Sequence, residues 1–212
     1  MMWKWRMEMR KKSFLNKILI WFFIIGSILF FLYAFIREKT CPPLSYLGLI
    51  PLMFLPICVE KITKKNVPNS LQSFYYIFCF FAYFLGAVLK FYGKVDHFDT
   101  LVHFSSGVFT SLIAITIWIG SKARSKNVIF ILFVLGFSTF LAYNWEGLEF
   151  ISDYFTGKDG QHVMDTGVED TMKDIFMALL GAISIIILYE IDCKRKKGIM
   201  YQYKKEVEVC YE

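Results

Sequence analysis

Three stretches of this chain carry ionisable side chains at spacings that suit chemistry. In D-H-F-D-T-L-V-H-F-S-S-G, residues 96–107, Asp99 and His103 are four apart. On a helix they share a face, with His103 about one turn, ~6 Å, further along. A carboxylate so placed fixes the imidazole tautomer and raises ring basicity, as a general base or nucleophile requires; plain structural capping is the alternative. In N-W-E-G-L-E-F-I-S-D, residues 144–153, Glu146, Glu149 and Asp153 stand at i, i+3 and i+7, one stripe of a helix. In G-V-E-D-T-M-K-D-I-F-M-A-L-L-G-A, residues 167–182, Asp170 and Asp174 share a face that Gly181 extends. Taken alone, the last pair reads as helix N-terminal capping. Taken together, three helices bring carboxylates, and one of them a histidine, to one level.

The elements that must position these groups are apolar. Of 212 residues, 56% are hydrophobic and only 20% charged, which excludes a disordered chain and points to a membrane. Residues 18–36 are nineteen positions without a charge, enough to cross ~30 Å of hydrocarbon at ~1.5 Å per residue. Further spans are expected at residues 43–59, 74–89, 101–120, 128–150 and 175–191. The predicted class is therefore all-α, a polytopic bundle of about six spans. No ten-residue alternation suggests a β-barrel, and lipid admits little else. In the second span Pro51 and Pro56 each remove a backbone donor, so a kinked or re-entrant element is expected there. The first span exceeds the ~7 to 15 apolar residues of a secretory signal and lacks an Ala-x-Ala site, and reads as a retained helix.

Basic residues set the expected orientation. The arm through Lys17, the loops at Lys61 and Lys122 and the C-terminal tail hold 18 Lys/Arg against 6 in the alternate loops. Both termini are then cytoplasmic, in a plasma (inner) membrane. The net charge of +6 is explained by a basic rim beside anionic lipid, so no nucleic-acid partner is expected. All three histidines and 11 of the 18 acids fall on the opposite side or in the spans bordering it. Carboxylates at mid-bilayer cost on the order of 2.5–3.5 kcal/mol each, less near the interface. A bound cation, protonation of one acid, or pairing with His103 must offset that, unless the fifth helix ends near Asn144 and its acids sit in water.

The chain divides into a basic arm (1–14), two N-terminal spans (15–69), a core with the polar motifs (70–192) and a solvated tail (193–212). Cys41, Cys58, Cys79, Cys193 and Cys210 are scattered without a C-x-x-C, giving neither a disulfide framework nor a zinc site; Cys193, beside a basic flank, is the candidate for acylation. No internal repeat supports an inverted-repeat transporter. The loop T-G-K-D-G-Q-H-V-M-D-T-G, residues 156–167, holds three glycines and could close over the acids, with Gln161 and His162 pointing inward. An ordinary surface loop is the alternative.

In D-T-L-V-H-F-S-S-G, W-E-G-L-E-F-I-S-D, Gln161 and G-V-E-D-T-M-K-D with Gly181 and Ala182, the sequence resembles a family of bacterial inner-membrane proteins typified by YjdF. The likeness covers residues 70–192. More remotely, the order of an Asp/His helix, an acidic helix and an Asp-bearing helix with a late glycine is similar to VanZ-type proteins. That resemblance implies action on lipid head groups or lipid-linked cell-wall intermediates, with His103 and the carboxylates reacting.

A membrane-embedded hydrolase or transferase would use His103, oriented by Asp99, as base or nucleophile and Glu146 or Glu149 as acid. Asp153, Asp170 and Asp174 would be metal ligands or their supports. An acidic site repels phosphate, so a phospholipid substrate implies a divalent cation: Mg²⁺, Ca²⁺ or Mn²⁺ from oxygen ligands, or Zn²⁺ if His103 takes part. The alternatives are a proton- or cation-coupled transporter and a non-catalytic scaffold. Transport needs polar groups through to the other face, and residues 112–119, 128–135 and 183–188 contain none that ionise.

Overall fold

The computed structural model describes residues 2–38, 44–157 and 167–212. Every regular element among them is helical. Two compact units form: the described residues up to Val95 together with Lys205–Glu212, and Asp96–Lys204. The division falls after Val95.

In the first unit, α1 (Met2–Glu38) is followed by a 3-10 turn (Leu44–Leu47), α2 (Leu49–Met53), α3 (Leu55–Thr63) and α4 (Asn69–Cys79). A π-helical stretch, Phe80–Val88, continues α4. Among the described residues, five helices are long and apolar enough to cross a membrane: Ser13–Arg37, Asn69–Val88, Phe98–Gly120, Asn127–Thr156 and Glu169–Arg195. The expected second span is not one of them. Its helix breaks at Phe54, because Pro56 has no N–H to offer the carbonyl of Leu52. The Tyr75 hydroxyl of α4 donates to that carbonyl instead, at 2.9 Å.

The broken segment nevertheless carries the chain back. Asn16 donates to the Asn69 carbonyl at 3.0 Å, Phe23 stacks on Phe80 at 4.9 Å and Phe30 meets Phe84 at 5.3 Å, so α1 and α4 run in the same direction. Between them the order reverses. Tyr46 lies 5.3 Å from Phe30, Leu52 is level with Tyr75, and Glu60 accepts from Gln72 at 3.0 Å. Two parallel helices in sequence require such a return.

The second unit contains α5 (Phe98–Gly120), α6 (Asn127–Thr156), α7 (Glu169–Arg195) and the start of α8 (Ile199–Tyr211). Trp118 packs on Phe130 at 5.6 Å and the hydroxyls of Thr110 and Ser138 bond at 2.6 Å, so α5 and α6 are antiparallel. Leu132, Phe140, Leu148, Ile151 and Phe155 of α6 are exposed; an apolar row of this size suits lipid rather than water.

One alternative is excluded and one expectation corrected. Helix α6 runs past Asn144 to Thr156, so Glu146, Glu149 and Asp153 are all helical, as their i, i+3, i+7 spacing predicts. The tail is not merely solvated: α8 buries Met200, Tyr203 and Val207, an i, i+3, i+7 stripe. Tyr203 donates to the Leu112 carbonyl at 3.1 Å and bonds the Thr116 hydroxyl at 2.6 Å. The turn into α8 needs Gly198, whose φ of 103° is left-handed and whose Cβ would strike the Asp192 carboxylate.

Candidate functional site

The site is built on a backbone contact between α5 and α7. A Cβ on Gly107 would overlap the carbonyl of Ala178, and one on Gly181 would overlap the carbonyl of Phe104. These helices therefore touch backbone to backbone, as small residues permit in membranes. The register follows: Gly107 lies one turn beyond His103, and Ala178 lies one turn beyond Asp174. Bringing the first pair into contact brings the second level. On the other side of α5, the Thr110–Ser138 bond sets the register of α6, and seven to eight residues further on, about two turns, Glu146 arrives opposite His103.

Three carboxylates thus surround one imidazole. Asp99 Oδ1 is 3.4 Å and Asp174 Oδ2 3.7 Å from His103 Nε2, while Glu146 Oε1 is 3.8 Å from Nδ1. The side chains of His103, Glu146 and Asp174 are 10%, 5% and 4% exposed, against 32% for Asp99. Access is consequently from the Asp99 side, at the start of α5. Every separation exceeds the ~2.7–2.9 Å of a charge-assisted hydrogen bond. Asp174 Oδ1 is buried without a hydrogen-bond partner among the described residues, a condition that costs free energy unless something answers it.

The remaining expected residues are placed as follows. Glu149, half-buried one turn along α6, accepts from the Trp145 indole at 2.8 Å, and the charges of Glu146, His103 and Asp99 act on it. Asp170 pairs with Lys173 at 3.8 Å. Asp153 is half-buried on α6. The structure brings Asp174, but neither Asp153 nor Asp170, into the set with Asp99 and His103 whose donor atoms all lie within 4.8 Å of one another. Gln161 and His162, the expected lid, lie outside the described residues. The sequence reading gave no role to Trp145, Thr110 or Ser138. Trp145 was legible as the residue four before Glu149; nothing local pairs a threonine with a serine 28 positions away.

With an imidazole between acids, the arrangement can take a proton from a substrate, return one, or hold a cation. Four cysteines among the described residues, Cys58, Cys79, Cys193 and Cys210, are free thiols, none within the set around His103.

An uncharacterized protein of Thermotoga maritima is 27% identical over 158 residues, 70% of this chain and 77% of the relative. No solved structure matches. The family described as predicted membrane protein (DUF2238) matches residues 18–195, a stretch that contains all five long apolar helices except the first few residues of α1's span and every residue of the site. This chain is therefore an integral membrane protein and belongs to the DUF2238 family.

Proposed function

We propose that this protein is an enzyme of the bacterial plasma (inner) membrane that hydrolyses or transfers the head group of a membrane lipid or a lipid-linked cell-wall intermediate. One observation carries the reading: a single buried imidazole is flanked by carboxylates from three helices within otherwise apolar spans. Ionisable groups at such positions are expensive and mark functional sites. His103, with Asp99 and Glu146 addressing its two nitrogens, is the general base or nucleophile. Glu149, held by Trp145, is the general acid for the leaving group. The likeness to YjdF-type and, further off, VanZ-type proteins supports a lipid-linked substrate, and the exposed apolar row of α6 gives an acyl chain a surface to follow.

The basic flanks, 18 Lys/Arg against 6, support cytoplasmic termini and an outward-facing site. Five long helices and the broken return at residues 44–63 make an even number of traverses, which fits.

The test is lipid profiling of a deletion strain. A lipid or lipid-linked intermediate should accumulate, vanish when the wild-type gene is restored, and persist with His103→Ala. A profile identical in all strains overturns the proposal. The competing reading, proton or cation transport, would appear as flux into liposomes that His103→Ala abolishes. The charge-free halves of α5, α6 and α7 disfavour it.

A further inference from the structure

The acidity of the site poses a problem that its own geometry answers. Nε2 of His103 faces two carboxylates, at 3.4 and 3.7 Å. One nitrogen carries at most one proton, so it can donate to only one of them. Even a protonated ring brings only one positive charge to three carboxylates. Asp174 Oδ1, in a residue only 3% exposed, has no hydrogen-bond partner among the described residues.

We propose that Asp99, His103 and Asp174 hold a divalent transition-metal cation, with Zn²⁺ the best match. The inference deepens the proposed function by naming the cofactor of the same site, and it rests on that reading only for what the metal would do there. Ligands bound at ~2.1 Å in tetrahedral geometry stand ~3.4 Å from one another, and those at trigonal angles ~3.6 Å. The separations observed from Nε2, 3.4 and 3.7 Å, have these values, and all three donors lie within 4.8 Å. Two carboxylates and a neutral imidazole balance a dipositive ion. An imidazole among the ligands favours Zn²⁺ over Mg²⁺, which prefers oxygen and retained waters.

The arrangement also supplies the partner beyond the ligands. Metal-bound histidines commonly present their other nitrogen to a carboxylate, which fixes tautomer and ring orientation. Glu146, 3.8 Å from Nδ1, occupies that place and is a positioning residue. Asp99, the most exposed of the group, lies on the side from which ion and substrate would enter. A cation here removes the repulsion that an acidic pocket would otherwise exert on a phosphate head group.

The test uses the full-length protein in detergent, stripped with chelator and reloaded with Zn²⁺, or with Co²⁺ for its visible spectrum. Wild type should bind one equivalent of Zn²⁺, rise in melting temperature on loading, and with Co²⁺ show the intense absorption of low-coordinate cobalt. His103→Gln and Asp174→Asn should each weaken binding at least tenfold and lose the cobalt band. Glu146→Gln should keep one equivalent with ~10–100-fold weaker affinity. Asp170→Asn, outside the donor set, should bind as wild type and shows that substitution alone does not abolish loading. Wild type that takes up no Zn²⁺ or Mn²⁺, or equal binding by wild type, His103→Gln and Asp174→Asn, overturns the inference. These readouts contain no lipid. Binding without lipid turnover defeats the proposed function and leaves the metal site, whereas turnover in stripped protein without metal uptake by wild type does the reverse.

Discussion

Two nearly inaccessible carboxylates, one in each compact unit, are treated in opposite ways. Glu206 is 1% exposed and accepts from both the backbone N–H and the hydroxyl of Ser70, at 3.1 and 2.6 Å. It caps the start of α4 with a side chain borrowed from α8, where a negative charge meets free N–H groups and the positive helix end. Asp174 is 3% exposed, yet one oxygen is unpartnered and the other faces an imidazole at 3.7 Å. A buried acid whose hydrogen bonds are complete holds the fold together. One left incomplete keeps its capacity for a ligand. Asp192 belongs with Glu206, since it accepts from the Met200 N–H at the start of α8, at 2.9 Å.

This contrast makes opposite demands on mutants. The largest effect is expected at the incomplete site: His103→Gln or Asp174→Asn should lower lipid turnover by roughly 10²–10⁴-fold, with little change in the melting temperature of metal-free protein. A melting temperature that fell steeply while turnover held would place Asp174 with Glu206 as structural. Glu206→Ala should do the converse, destabilising by about 1.5–3 kcal/mol through the loss of bonds to a charged group while Zn²⁺ loading is unchanged, as chemical denaturation and metal analysis would read.

Glycines divide similarly. Gly107→Ala places a methyl on the Ala178 carbonyl, a backbone atom that cannot yield easily, and should cost about 1–3 kcal/mol and loosen metal binding by moving His103 from Asp174. Gly136→Ala meets nothing within 4 Å and should be neutral, or stabilising by up to about 1 kcal/mol. Equal thermal shifts for the two would disprove the close contact of α5 with α7.

Tyr75→Phe should cost about 1 kcal/mol by removing its hydrogen bond to the Leu52 carbonyl. The smallest effect is chemical. Burial, with the carboxylates of Glu206 and Glu60 adding to it, pushes the Cys210 thiol up to about 11. Only the thiolate alkylates, so at pH 8 Cys210 should react slowly and gain about tenfold per pH unit until near 11. Glu206→Gln removes a negative charge and should quicken alkylation at pH 8; an unchanged rate would show that Glu206 does not act on the thiol.

Much of the fold was legible because its signals are local. Charge-free runs located five long helices, and the prolines near Phe54 marked the segment that fails to make a sixth. How this segment returns the chain was not legible from propensity, because its path is held by Tyr75 and Gln72 meeting residues elsewhere in the sequence. The tail reads as solvated from its charges, which outnumber the buried Met200, Tyr203 and Val207 stripe. At the site, i+4 spacing joined Asp99 to His103, and it also joined Asp170 to Asp174. In the second case the two part, since Asp170 turns to Lys173 while Asp174 faces the imidazole.

The sequence by itself determined that this is a helical membrane protein, where its five long helices lie, and that acids and histidine gather toward one end, since hydropathy and residue spacing act over a turn or two of chain. Only the tertiary structure decided which carboxylates share His103. That choice depends on axial register between helices, and the register is set where Gly107 meets Ala178, Gly181 meets Phe104 and Thr110 bonds Ser138, contacts whose partners lie tens of residues apart and leave no periodic trace in the chain.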